Sequence, residues 1–158
     1  MAKTHAAIGK ASKGAARPTA RKTARASAPR RSTRAPRLPK SVTGAVEAAR
    51  DKKAENIVVL DLRNAGGFTD YFVICTGGNP RQITAIADSV RETLKRDFDE
   101  RPTLSEGVDR SEWILLDYFN FVVHIFSREC RAFYGLERLW GNADRHEFDD
   151  EPSTRAAP

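Results

Sequence analysis

The sequence is poor in the residues that build redox and metal centres, with two cysteines and three histidines in 158 residues. Cys75 and Cys130 each sit inside an apolar stretch, with no Cys-x-x-Cys partner and no nearby pair of histidines. They read as buried, reduced thiols of a cytosolic kind of protein, not as a disulfide framework or a metal site. Long apolar runs are missing too, so neither a signal-peptide core nor a membrane-spanning helix is expected. Acidic residues are absent from the first forty positions, where twelve lysines and arginines fall. Since the chain has 27 basic and 21 acidic residues, positions 41–158 keep 15 basic against 21 acidic. The overall excess of +6 is thus an average over a part of about +12 and a part of about −6.

Residues 1–40 also lack large aliphatic side chains, Ile8 and Leu38 being the only ones after Met1. Such a segment buries too little apolar area to offset the entropy of ordering its backbone, and a disordered basic extension is expected. Three readings compete for it. A nucleic-acid-binding arm would neutralise phosphates without regard to sequence, giving a weak contact with RNA. A transit peptide would be rich in Arg, Ser and Ala and free of acids, as this segment is. The third is a solubilising extension. The segment has no clear amphipathic periodicity, which favours the bacterial cytoplasm over an organelle.

Residues 41–141 carry the patterning of one α/β domain, of ample size for a core. Ser41 is placed to cap a helix with the apolar stripe Val42, Ala45, Val46 and Ala49. The β-branched run Ile57-Val58-Val59-Leu60 predicts a buried strand. A glycine-bearing loop leads from it to a second strand, Tyr71–Cys75, expected antiparallel to the first. Asn79 and Pro80 mark the start of a helix whose Ile83, Ile86, Ala87, Val90 and Leu94 share one face. A short strand is expected within 102–106. Two more strands, Trp113–Tyr118 and Phe121–Phe126, flank Phe119-Asn120 as a tight hairpin. Ser127 can cap a last helix bearing Cys130, Phe133, Tyr134, Leu136, Leu139 and Trp140, with 133, 136 and 140 able to pack inward. Residues 142–158 read as a polar, flexible tail. The order α-β-β-α-β-β-β-α predicts a mixed sheet of roughly five strands flanked by helices.

Catalytic constellations are weak. The Asn64–Asp70 loop lacks the Gly-x-x-x-x-Gly-Lys-Ser/Thr spacing and leads to a strand, so its glycines read as turn formers before a phosphate cradle. Asp61 and Asp70 flank that loop, but two acids do not establish the converging carboxylates of a metal-dependent nucleotidyltransferase. A Cys–His nucleophile would have to join His124 to Cys75 or Cys130; a structural or surface-facing histidine is the simpler reading. No Gly-x-Ser-x-Gly elbow occurs. The expectation is a protein that is not an enzyme and carries no cofactor or metal. Trp113 beside Glu112, and the bulky residues of the last helix, instead have the composition of an interface; the alternative is that both tryptophans finish the core.

Several ordered blocks carry a resemblance. Asp70–Gly77, then Arg81-Gln82-Ile83 and Ala85-Ile86-Ala87, then Trp113–Tyr118, Val122–Phe126 and Phe133–Trp140 resemble the Iojap-like family of ribosomal silencing factors over about residues 42–141. The resemblance implies a fold related in outline to nucleotidyltransferases, without an established transferase reaction. It also implies binding to a large-subunit ribosomal protein at the intersubunit face, blocking association with the small subunit. It further implies that translation falls when nutrients are scarce and that the same contact serves subunit maturation. The acidic domain suits a basic partner. Partner-binding residues are assigned as Trp113, Asp117, Tyr134, Glu137 and Trp140, with His124 as a further candidate, on their aromatic and acidic character near the ends of adjacent elements. A monomer or a homodimer is expected. The rivals are an RNA-binding protein acting through the arm, and a nucleotidyltransferase-like enzyme. One departure stands out: where the family commonly has a Gly-Asp-type turn, this chain has Phe119-Asn120, and Phe is poorly suited to positive φ. Another turn geometry is therefore expected there.

Overall fold

A computed structural model of the chain describes residues 37–150. Positions 1–36 of the expected basic extension and 151–158 of the expected tail lie outside the described residues. Among the described residues six strands form one sheet, in the order β3-β4-β5-β2-β1-β6. In chain order the elements are α1 (Lys40–Asp51), β1 (Glu55–Asp61), β2 (Tyr71–Thr76), α2 (Pro80–Phe98), β3 (Leu104–Glu106), β4 (Trp113–Asp117), β5 (Phe121–Phe126), α3 (Arg128–Tyr134), α4 (Leu136–Leu139) and β6 (Asp144–Glu147). All neighbours are antiparallel except β2 and β5, which pair in parallel at the centre. A parallel pair needs a crossover, and α2 opens the one joining the β1–β2 hairpin to the β3–β4–β5 meander.

The central strands β2 and β5 are buried along their whole length, and successive residues serve opposite faces. Tyr71, Val73 and Cys75 of β2, with Phe121, Val123 and Ile125 of β5, pack into the cluster covered by α1 and α2. Phe72, Ile74, Val122 and Phe126 face the other way, against Trp113, Leu115, Cys130, Leu136 and Trp140. The first face is closed by two long helices; the second has only the short α3 and α4.

Helix α2 begins as its residues dictate. The Asn79 side chain accepts from the Gln82 N–H at 2.9 Å, and Pro80 occupies the first turn. Helix α1 differs from expectation: it starts at Lys40 behind Pro39, with no side-chain cap, so Ser41 is inside the helix. Gly107, at φ +78°, brings its Cα so near β4 that an added Cβ would stand 1.9 Å from the Trp113 carbonyl oxygen. Only glycine fits there.

Three further expectations are corrected. The last helix breaks at Gly135, whose φ of +55° ends α3 and starts α4. Residues 144–147 are not tail: they form β6 on the edge beside β1, and the following Phe148 N–H donates to the Ile57 carbonyl at 3.0 Å. Asp144-Arg145-His146-Glu147 lacks apolar alternation because an edge strand held by one neighbour keeps its side chains in water. Finally, Phe119 does adopt positive φ, at +72°.

Tyr118 supplies a first prediction. Its ring is buried and stacked on Phe121 at 5.0 Å, while its hydroxyl finds no hydrogen-bond partner among the described residues. Burial pushes its pKa up to about 12. An unpaired buried hydroxyl is a net cost, so Tyr118→Phe is expected to stabilise the domain by about 1 kcal/mol, seen as a raised urea midpoint at unchanged slope.

Candidate interaction surface

The thinly covered face of the sheet carries a connected set of aromatic rings. Trp113, at the start of β4, stacks on Phe126 of β5 at 5.0 Å and lies 4.5 Å from Tyr134 of α3. Tyr134 meets Phe133 edge-on at 5.1 Å. Toward the middle of the sheet, His124 lies 4.6 Å from Phe72, and Phe72 reaches Trp140 at 6.1 Å and Phe68 at 5.8 Å. Pairs of this kind add to simple burial and hold the rings in defined orientations.

The ring set is pinned at its centre. The Trp113 indole Nε1–H donates to His124 Nδ1 at 3.1 Å. Indole nitrogen is only a donor, so Nδ1 must accept and the imidazole proton sits on Nε2. That Nε2–H has no partner among the described residues. Burial pushes the His124 pKa down to about 3, and the ring is neutral at any ordinary pH.

A second device clamps α3 and α4 to the sheet. Arg131 donates from Nη1 to the Asn56 carbonyl at 2.7 Å and to Thr76 Oγ1 at 2.9 Å, and from Nε to Glu137 Oε1 at 2.8 Å. Asn56 sits at φ +50° where the β1–β2 register shifts, and this bulge presents its carbonyl outward to the arginine. Ser127 caps α3, accepting from the Cys130 N–H at 3.2 Å.

The structure brings five of the six assigned partner-binding residues together in these two devices. Trp113, Tyr134 and Trp140 belong to the ring set, and His124 lies beneath it, buried. Glu137 is committed to Arg131. Asp117 stands apart at the far end of β4, where its Oδ1 accepts from the Phe119 N–H at 2.8 Å. Exposure redistributes the roles. Tyr134 is 46% exposed, but the outermost groups are Phe133 at 79% and Leu139 at 70%. Phe133 was expected to pack inward. The break at Gly135 puts α3 and α4 out of phase, so a single helical wheel misplaces it; the glycine after Tyr134 was the signal. Phe68 and Phe119, at 77% and 79% exposure, are likewise surface groups that no periodicity marks.

The chemical rivals find little support in the geometry. Both Asp61 oxygens are taken by Arg63, at 3.0 Å from Nε and 2.7 Å from Nη2, and this hydrogen-bonded guanidinium holds the carboxyl below its ordinary pKa. Among the described residues no group of three or more His, Cys, Asp or Glu side chains is placed to hold a metal ion. Cys75 is wholly buried, and burial pushes its thiol up to about 12, so it is no nucleophile. Cys130, expected to be buried, is partly exposed.

The sequence profile of the family described as "Ribosomal silencing factor during starvation" matches residues 35–158. A ribosomal silencing factor of Halalkalibacterium halodurans is 38% identical over 105 residues, which span 66% of this chain and 89% of that protein. A mouse protein named "Mitochondrial assembly of ribosomal large subunit protein 1" is 31% identical over 115 residues, 71% of this chain and 49% of its own length. Among solved structures, one from Chromobacterium violaceum superposes with a TM-score of 0.61 at 31% identity, covering 74% of this chain and 91% of that one.

Proposed function

Because the chain belongs to the family of ribosomal silencing factors, we propose that it docks on the large ribosomal subunit and blocks joining of the small subunit. The contact is made by the aromatic surface of β4, α3 and α4 with a basic ribosomal protein at the intersubunit face. Translation falls when nutrients are scarce, and the same contact serves maturation of the large subunit in the cytoplasm. No reaction is assigned, because bulk at the joining face is sufficient.

The observation that carries this reading is the exposure of Phe133, Tyr134 and Leu139 on a domain whose other large apolar groups are mostly buried. Exposed apolar side chains on α3 and α4, with Tyr134 continuing into an ordered ring set, have the composition of a protein-binding hot spot. The acidic balance of residues 41–158 favours encounter with a basic partner. Phe133→Asp tests it. Its ring touches Tyr134 alone among the aromatic contacts, so the melting temperature should hold while co-sedimentation with large subunits weakens by about tenfold. Unchanged binding by a folded Phe133→Asp chain would remove this surface from the account.

A second reading rests on the twelve basic residues of 1–40: binding to RNA through the arm. Salt separates the two. Arm-driven binding should fall steeply and linearly on a log–log salt titration, one released counterion per neutralised phosphate. Docking by the aromatic surface should survive moderate salt.

A further inference from the structure

The β4–β5 hairpin turns at Phe119 in a conformation that a bulky side chain resists. Its φ is +72°, and the Asn120 N–H donates to the Tyr118 carbonyl two residues back at 2.9 Å. That is the rare, strained γ-turn with a positive central φ, where glycine would fit without steric conflict. The strain is held by neighbours. Asp117 Oδ1 accepts from the Phe119 N–H at 2.8 Å, Thr69 Oγ1 donates to the Phe119 carbonyl at 3.1 Å, and the Asp70 N–H donates to the Asn120 carbonyl at 3.0 Å. The ring gains nothing from burial, since it is 79% exposed. Neither packing nor backbone preference accounts for phenylalanine here, and strain retained at an exposed position points to function.

Phe68, 77% exposed, stands across a cleft of about 310 Å³ that Asp70 and Asp117 also line. Among the described residues the cleft lining includes no cationic side chain, the Arg63 charge acting on Asp70 from outside it. Asp70 is exposed and forms no ion pair among the described residues, and Asp117 Oδ2 accepts no hydrogen bond from them. Two aromatic faces beside two available carboxylates are the surroundings that a guanidinium or ammonium group seeks. The cleft also continues the ring set, because Phe68 packs edge-on against Phe72, and Phe72 against Trp140.

We propose that the Phe68–Phe119 cleft is a second anchor of the docking surface, taking an arginine or lysine side chain of the basic partner protein. The inference rests on the large-subunit reading above. It is tested with the full chain and its Phe119→Gly, Phe68→Ala and Asp70→Lys variants, sedimented with purified bacterial large subunits at one moderate salt concentration, with melting temperatures taken in parallel.

Phe119→Gly should melt at the same temperature or higher, because glycine relieves the turn, yet bind about tenfold more weakly. Phe68→Ala leaves the turn untouched and should weaken binding to a similar degree. Asp70→Lys should weaken it as well, by placing a cation in the cation's seat. Tight binding by both phenylalanine variants, with the parent chain also bound, would overturn the second anchor and leave the large-subunit reading standing. Tight binding by Asp70→Lys would overturn the cationic occupant. A parent chain that does not sediment with large subunits would defeat the large-subunit reading itself, and the anchor with it.

Discussion

Trp113→Ala is expected to destabilise the domain by about 3 kcal/mol, at the lower end for loss of a core aromatic. The side chain is partly exposed, so area alone would give less. What raises the cost is its partnership. The indole stacks on Phe126, supports Tyr134, and donates to the Nδ1 of a histidine that is 4% exposed. Truncation leaves that nitrogen buried and unpaired, a penalty of about 1–3 kcal/mol on its own. Chemical denaturation checks this directly, as a lower midpoint with little change in slope. A Trp113→Ala chain as stable as the parent would show that the indole serves only the partner. The contrast with Phe133→Asp separates scaffold from contact: the first should lose stability, the second binding.

The second large effect is a pH dependence centred on His124. An ordinary histidine titrates near 6.5, and burial lowers this one to about 3. Between those values the unfolded chain holds a proton that the folded chain refuses, so stability is complete above pH 6.5 and is lost as pH falls toward 3. Protonation would also place a second donor against the Trp113 N–H. Lowering the pH from 8 to 5 should therefore cost about 2 kcal/mol through this group alone. His124→Asn keeps an acceptor for the indole and removes the titration. Its stability should be lower at pH 8 but nearly flat across the range. A parent chain whose stability is flat from pH 7 to 5 would contradict the assignment. Function is not expected to switch on this residue, because it stays neutral throughout the physiological range.

The parts of the fold that were legible in the sequence are those where one physical demand dominates. Asn79 and Pro80 announce α2 because capping needs an acceptor and a residue without an N–H. The β-branched runs of β1, β2 and β5 announce strands buried on both faces. Illegible elements answer to context instead. Strand β6 is four polar residues that are extended because β1 offers an open edge. The helix after Ser127 looks continuous until Gly135 takes a left-handed conformation, and with it the facing of Phe133 changes. Phe119 violates its own backbone preference because Asp117, Thr69 and Asp70 together fix the turn.

The candidate site follows the same division. Aromatic residues near strand and helix ends are legible in the sequence, and the structure puts Trp113 against Tyr134 and packs Trp113 and Trp140 on the same cluster. Which of them face outward was not readable. Glu137 looks like a surface acid but is spent on Arg131, and His124 sits in a strand whose neighbours bury it on both sides. Phe133 and Leu139, the most exposed groups of α3 and α4, are marked in the sequence only by hydrophobicity and by Gly135 between them.

The most direct test of the central claim is subunit joining in a sucrose gradient, with purified large and small subunits and the full chain in increasing amounts. Joined ribosomes are expected to decline as the chain saturates the large subunit, and Phe133→Asp is expected to restore joining at the same concentration. Unimpeded joining while the chain sediments with the large subunit would contradict that claim.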